Sequence, residues 1–393
     1  MFYFTYSLLS FFIYLIAFPF LLLLAFKEKY RESIPARFFL WRNSPLKREG
    51  VWFHSCSFGE ANAIRPIVER LPKESLRMST TTQTGYEAIK DYTEQSRYLP
   101  FESLLFGWMK PQKALVVMEA EFWYLLFALA KKRGAKTLLI NARMSDRSFL
   151  KYYKMRWFYA QIFKYIDEVY AQTAKDKERL ELLGAENVVV TGNIKLSKLP
   201  EPTRALQKPD GLIVCGASTH EGEETLILEA YLKLKAEEDD ARLILVPRHP
   251  ERFDKVVSLV EKITGSLEQG GDDKTLSWHR YSECKSFESD IIVVDTLGEL
   301  VNLYAVSDIV ILGGAFEPIG GHNAAEAAQF GCKIISGKYY FNQKDIFGAI
   351  EGIAVVEASS LSRRLLQHGL LKPTVIKQRS DITPILESIE DVL

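Results

Sequence analysis

Twelve short runs of mainly apolar residues set the terms on which this chain can fold. They lie at Val51–Ser55, Leu76–Thr80, Ala114–Met118, Thr137–Ile140, Glu168–Ala171 and Val188–Thr191, then at Leu212–Cys215, Leu243–Val246, Ile291–Val294, Ile309–Leu312, Lys333–Ser336 and Ile353–Val356. A strand with one wet face alternates apolar and polar residues. Runs without that alternation belong to strands dry on both faces, as in a parallel sheet covered by helices. Helical stretches separate the runs and can supply the crossovers that parallel pairing needs. Six runs precede and six follow a polar, proline-bearing stretch at Ser197–Asp210, which reads as an interdomain linker. The expectation is α/β: two doubly wound, Rossmann-like domains facing each other across a cleft. A length of 393 residues suits two such cores.

The N-terminus adds a separate element. Phe2 to Phe26 carry no charge. At about 1.5 Å per residue such a helix exceeds the ~30 Å hydrocarbon thickness, and Pro19 can kink it without excluding it. The charged leading region of a cleavable signal peptide is missing. Residues 27–48 follow with Lys27, Lys29, Arg31, Arg37, Arg42, Lys47 and Arg48 against Glu28 and Glu32. This basic collar suits anionic lipid headgroups, and the positive-inside rule puts the rest of the chain in the cytoplasm. A helix lying in the membrane interface is the other reading. The expected division is therefore an anchor at 1–26, a basic juxtamembrane segment at 27–48, one domain at 49–198, a linker at 199–210 and a second domain at 211–393.

Composition removes several function classes. Fifty Lys and Arg balance 50 Asp and Glu, which gives no electrostatic case for nucleic acid. Cys56, Cys215, Cys284 and Cys332 are far apart and form no CxxC pair, so neither a disulfide framework nor a cysteine-based zinc site is expected. The phosphate loop, dinucleotide fingerprint, zinc-protease helix and nucleophile elbow are all missing from the sequence. No DxD pair is present to hold a divalent cation, although Glu119-Ala-Glu121 has similar spacing. No metal or cofactor is therefore expected. A phosphate leaving group would have to be met by protein cations and helix N-termini.

Ligands of open α/β sheets gather beyond the carboxyl ends of strands, and the polar clusters of this sequence lie there. In the first half these are Ser57-Phe58-Gly59-Glu60, Thr84-Gly85, Glu119 and Glu121, Asn141 with Arg143, and Gly192-Asn193 with Lys195. The second half holds Ser218-Thr219-His220-Glu221, Pro247-Arg248-His249, Leu297-Gly298-Glu299, and Gly320-Gly321-His322-Asn323 running into Ala324-Ala325-Glu326-Ala327. Glu60 can serve as a general base, or simply complement a helix dipole in its first turn. Arg248, held between two prolines, can meet a phosphate or face solvent. Glycines before Ala324 allow close approach of a ligand to backbone at a helix start, and Glu326 can bind ribose hydroxyls.

Seven strings in order change the weight of these readings. They are HSCSFGE (54–60), EAEFW (119–123), NARMS (141–145), GNIK (192–195), STHEGEE (218–224), VPRHPERF (246–253) and GGHN (320–323). Together they resemble the 3-deoxy-D-manno-octulosonic acid (Kdo) transferases of Gram-negative bacteria, from the anchor to about residue 350. The resemblance implies a GT-B fold, with the acceptor on the N-terminal domain and CMP on the C-terminal one. It implies an inverting, metal-independent enzyme that transfers Kdo from CMP-Kdo to a lipid A precursor (lipid IVA) at the inner membrane. It maps the base onto Glu60 and transition-state stabilisation onto Glu119 and Lys195. CMP contacts map onto Pro247, Arg248, Leu297, Gly298, Glu299, Ala324, Ala325, Glu326 and Ala327. Ser57, Gly59, Arg143, Ser218, Thr219, His220, Gly321, His322 and Asn323 are further candidates. Three strings depart from the family's usual form: EAEFWY replaces ETELWP, Glu102 ends the YLPxD-type string, and NIKLS replaces NLKFD. The competing readings are a nucleotide-sugar 2-epimerase of the same fold and a non-catalytic lipid-binding relative.

Overall fold

The computed structural model describes residues 1–269, 276–377 and 380–393, without the side chains of Lys29 and 267–269. The Lys29 side chain of the basic segment thus lies outside the described residues. Two compact units form: Met1–Lys198 with Arg379–Leu393, and Leu199–Gln378.

In the first unit the apolar runs become β1 (Val51–His54), β2 (Leu76–Thr80), β4 (Ala114–Met118), β5 (Lys136–Ala142), β6 (Glu168–Ala171) and β7 (Val188–Val190), with β3 at Ser96–Tyr98. All pairs are parallel, in the order β3-β2-β1-β4-β5-β6-β7. Successive residues of one strand feed opposite cores. Leu115 and Val117 join Trp52 and Leu139 on one face, while Val116 and Met118 join Phe53 and Ile140 on the other. This two-sided burial is why the runs lack polar alternation. Strand order reverses between β1 and β4, which makes their carboxyl ends the switch point of this sheet.

The second unit repeats the plan. Its strands are β8 (Ile213–Thr219), β9 (Arg242–Pro247), β10 (Trp278–Arg280), β11 (Ile291–Val293), β12 (Ile309–Leu312), β13 (Lys333–Ser336), β14 (Ile350–Glu351), β15 (Ala354–Val355) and β16 (Val375–Ile376). A parallel sheet runs β10-β11-β9-β8-β12-β13-β15, with its switch point between β8 and β12, and β14 pairs antiparallel with β16. The fold class is α/β, with two doubly wound units of the GT-B type.

Four strands lie outside the expected runs: the two-residue pair β14 and β16, and, in the large sheets, β3 and β10. The last two are three-residue edge strands, Ser-Arg-Tyr and Trp-His-Arg, with no apolar run to reveal them. A second correction concerns the C-terminus, which was expected to stay with the second domain. Arg379–Leu393 returns to the first unit instead. Ile382, Ile385, Leu386 and Ile389, around the helix Thr383–Glu390, fill the same core as Val51 and Phe53. That helix presents its apolar stripe to a face the first domain leaves uncovered.

The apolar N-terminal stretch is one helix, Phe2–Leu24, apolar and long enough to cross a membrane. It runs along the first unit. Phe2, Tyr3 and Tyr6 pack against its core, and Ser10 and Leu21 are buried. The Tyr6 hydroxyl donates to Glu102 Oε2 (2.6 Å), and that of Tyr14 to the Phe38 carbonyl (2.6 Å). The opposite face exposes Phe4, Leu8, Phe12, Leu15, Ile16 and Leu23. The basic segment behind it is not a free collar. Asn43 donates to the carbonyls of Ala36 and Tyr98, and Arg97 reaches the Ser44 carbonyl, so this segment covers the exposed edge of β3.

Ile385 is completely buried. Ile385→Ala should therefore destabilise the first unit by about 2–5 kcal/mol. Denaturant unfolding followed by the first unit's tryptophans checks this, and an unshifted midpoint would refute the C-terminal helix as part of that core.

Candidate functional site

At the end of β1 the chain turns at Ser55–Ser57 into the short helix Phe58–Ala63, with Ser57 as its N-cap. Glu60 folds back onto this turn. Its Oε2 accepts the Cys56 N–H (2.7 Å), its Oε1 accepts the Ser57 hydroxyl (2.9 Å), and its own N–H donates to Ser57 Oγ (3.3 Å). This is a variant of the capping box, so part of the bland role considered for Glu60 is real. Yet burial pushes its pKa up. The Cys56 and Ser57 hydrogen bonds oppose the rise, and the Glu119 and Glu121 charges add to it. Gly59 beside it is exposed, with open space where a side chain would stand.

Glu119 follows β4 across the switch point. Its Oε2 lies 3.0 Å from Arg143 Nε, and its Oε1 lies 3.7 Å from Lys195 Nζ. Asn141 organises this pairing: its Oδ1 accepts the Ile194 N–H (3.0 Å) and so fixes the turn that carries Lys195. Glu119 (φ 54°) and Asn141 (φ 53°) both adopt left-handed backbone, and the β5–β6 register shifts beside Asn141. Non-glycine residues at positive φ are uncommon and gather at functional sites. Glu60, Glu119, Arg143 and Lys195 are thus brought to one end of one sheet. Glu121 is not part of these ion pairs.

The second unit gathers its candidates around β8, β9 and β12. Ser218 has φ 54° at a register shift between β8 and β9. The His220 and His322 rings stack with Nε2 atoms 2.9 Å apart, and His249 stands edge-on to His220 at 5.3 Å. Burial pushes His322 down to about 4, with the His220, Arg248 and His249 charges assisting. His220 is also lowered by burial, against the Glu223 carboxylate. Pro247 ends β9, and exposed Arg248 directs its charge towards His220, His322 and Glu326. Asn323 Nδ2 donates to Glu326 Oε1 (3.1 Å), and burial raises Glu326. The expected helix start is short: Ala325–Ala328, with Ala324, Ala325 and Ala327 buried. Thr219 donates to Glu224 (3.1 Å). Leu297 and Gly298 are exposed, while Glu299 pairs with Arg204 (2.8 Å). Gly321, at φ 82°, donates to the Gly314 carbonyl.

Glu223 was missed as an individual residue. It is almost fully buried and accepts the N–H groups of His220 (3.0 Å), Gly314 (2.8 Å) and Phe316 (3.1 Å). One carboxylate therefore ties the loops after β8 and β12 together. The only sequence signal was an acidic residue inside STHEGEE, where two neighbouring glutamates compete for attention.

Residues 32–198 match the family described as 3-deoxy-D-manno-octulosonic-acid transferase (kdotransferase). The 3-deoxy-D-manno-octulosonic acid transferase of Haemophilus influenzae is 32% identical, over 89% of this chain and 86% of that protein. The chain belongs to the Kdo transferase family. The Bordetella pertussis relative of the same name is 31% identical over 75% of this chain and 72% of its own length. Among solved structures, the C-terminal CMP-Kdo binding domain of WaaA from Acinetobacter baumannii is 26% identical. It covers 46% of this chain and 88% of that one, with a TM-score of 0.34. The four cysteines of this Kdo transferase are free.

Glu223→Ala would orphan three N–H groups, two of which, those of Gly314 and Phe316, lie in a buried setting. An unsatisfied buried donor costs about 1–3 kcal/mol, so the second unit should lose at least that much stability. Chemical denaturation reads it; an unchanged unfolding free energy would mean that solvent reaches these loops.

Proposed function

We propose that this Kdo transferase takes Kdo from CMP-Kdo and adds it to a hydroxyl of a lipid A precursor, with inversion and without a metal. The observation that carries the reading is Glu60. It is a half-buried carboxylate at a sheet switch point, raised by its surroundings and adjoining open space at Gly59. Glu60 takes the proton of the acceptor hydroxyl as that oxygen attacks the anomeric carbon. The bond to CMP breaks on the opposite face, and the pair of electrons leaves with the phosphate. A sugar hydroxyl is a poor nucleophile, which is why a base is needed as the bond forms. Arg143 and Lys195, held by Glu119, offer positive charge for an acidic sugar or lipid phosphate. In the second unit Arg248 and the His220–His322 pair suit the donor's phosphate or carboxylate.

The chain works at the inner membrane, on the cytoplasmic side. Support comes from the helix Phe2–Leu24, whose outer face is apolar along its length and whose inner face is docked on the first unit. A helix docked at both ends cannot stand upright without drawing that face of the domain into hydrocarbon. Lying in the interface avoids that cost, with the basic segment among anionic headgroups.

Glu60→Gln keeps size and hydrogen-bonding reach but cannot take a proton. Turnover should fall roughly 10²–10⁴-fold with an unchanged melting temperature. Near-normal steady-state turnover in the folded variant would end the assignment. Activity should also survive excess EDTA in an assay with CMP-Kdo and a defined acceptor. Loss on chelation with rescue by magnesium or manganese would overturn the metal-free reading.

A further inference from the structure

Glu121 turns away from the Glu119 ion pairs and towards β1. There His54, Cys56 and Glu121 each offer one ligand atom, all within 4.8 Å of one another. His54 is fully buried, with its Nδ1 2.9 Å from Ser79 Oγ and 3.2 Å from the Ser79 carbonyl oxygen. An N–H at Nδ1 donating to that carbonyl leaves the lone pair on Nε2. That Nε2 is buried and has no hydrogen-bond partner among the described residues. A buried acceptor left empty is costly, so its persistence points to a partner that the protein alone does not supply.

The surroundings fit a metal ion. A metal-ligating imidazole typically donates its other N–H to a carbonyl or carboxylate, and the other ligands are held in turn by outer partners. Ser79 plays that part for His54, the Trp123 indole N–H donates to Glu121 Oε2 (2.8 Å), and the Thr81 hydroxyl lies 2.9 Å from Cys56 Sγ. One imidazole, one thiolate and one carboxylate are a borderline-soft donor set of the zinc class, and three protein ligands leave a fourth position open. Arg37 approaches the same end of the sheet and its charge reaches His54, Cys56 and Glu121, although its guanidinium donates to the carbonyls of Leu99 (3.0 Å) and Thr81 (3.5 Å).

We propose that His54, Cys56 and Glu121 bind a zinc-class divalent cation, and that the bound ion inhibits transfer. Binding forms bonds to His54 Nε2, Cys56 Sγ and one Glu121 oxygen, and the Cys56 thiol proton passes to solvent. The inhibitory part rests on the reading of Glu60 as the base. The Cys56 N–H donates to Glu60 Oε2 at 2.7 Å, so a dication on Cys56 lies next to that carboxylate and competes with the acceptor hydroxyl for it. The binding part does not depend on that reading.

The test uses the full chain in detergent, stripped with EDTA and exchanged into chelator-free buffer. Cys284 is exposed, so the reference protein carries Cys284→Ser. Titration with Co(II), without donor or acceptor, should give a thiolate-to-cobalt charge-transfer band that saturates at one ion per chain and is displaced by Zn(II). Cys56→Ala keeps the backbone donor to Glu60 and should abolish the band. Glu121→Gln should weaken binding roughly 10- to 100-fold. Zinc should inhibit the reference enzyme, with its half-inhibitory concentration raised at least about tenfold in Cys56→Ala relative to that variant's own basal rate. No band in the reference, or a band that survives Cys56→Ala, overturns the site. A band without zinc inhibition overturns the regulatory role alone, and neither result touches the assignment of Glu60.

Discussion

Strands that are dry on both faces leave a domain nowhere to keep polar chemistry except at their ends. β4 shows the constraint in its simplest form: Ala114–Met118 is entirely buried, and Glu119 follows immediately. β8 repeats it, with buried Ile213–Thr219 leading into His220. Because neighbouring strands are parallel, their carboxyl ends emerge together. Residues far apart in sequence, such as Glu60, Glu119 and Lys195, are therefore delivered to one rim without any local signal that they belong together. Helices beginning just beyond that rim add N–H groups, which is why Ser57 and Asn323 can tether their loops so closely.

Holding charged side chains in that position needs backbone that ordinary strands do not supply. Glu119, Asn141 and Ser218 all adopt left-handed conformations, and register shifts accompany Asn141 and Ser218. Each conformation costs of order 1 kcal/mol or more and persists only when its surroundings over-determine it. The Asn141 amide does so by binding Ile194 and lying near Glu119, while Glu223 does so by tying the loops after β8 and β12. Stability in the strands is thus spent on geometry at their ends.

The same logic explains what could be read from the sequence. All six runs in each half became strands; burial on both faces dictates the composition of the inner ones, while the edge strands β7 and β15 are apolar yet partly exposed. β3 and β10 escaped because an edge strand needs no apolar run. The return of residues 379–393 escaped because an amphipathic helix does not state which sheet it covers. The candidate residues follow the carboxyl ends of the strands within each unit, but Glu223 was legible only once its three N–H partners were visible. Cysteine spacing argued against a metal site, and it could say nothing of His54 and Glu121 joining Cys56 through the fold.

Glu60, the base in the function proposed above, is also a helix cap, and the two roles make opposite demands on one carboxylate. As a cap it gains hydrogen bonds from Cys56 and Ser57, each of which favours the anion. Burial and the two neighbouring glutamates press the other way, and the net direction is upwards. Capping alone would make the group a weak base, since a carboxylate well satisfied by N–H groups has little affinity for a proton. Burial alone would favour the neutral acid. The two influences meet at this one carboxylate, and burial outweighs the hydrogen bonds. The Cys56 N–H is shared between this carboxylate and the turn after β1, so the position of Glu60 depends on the backbone of that turn.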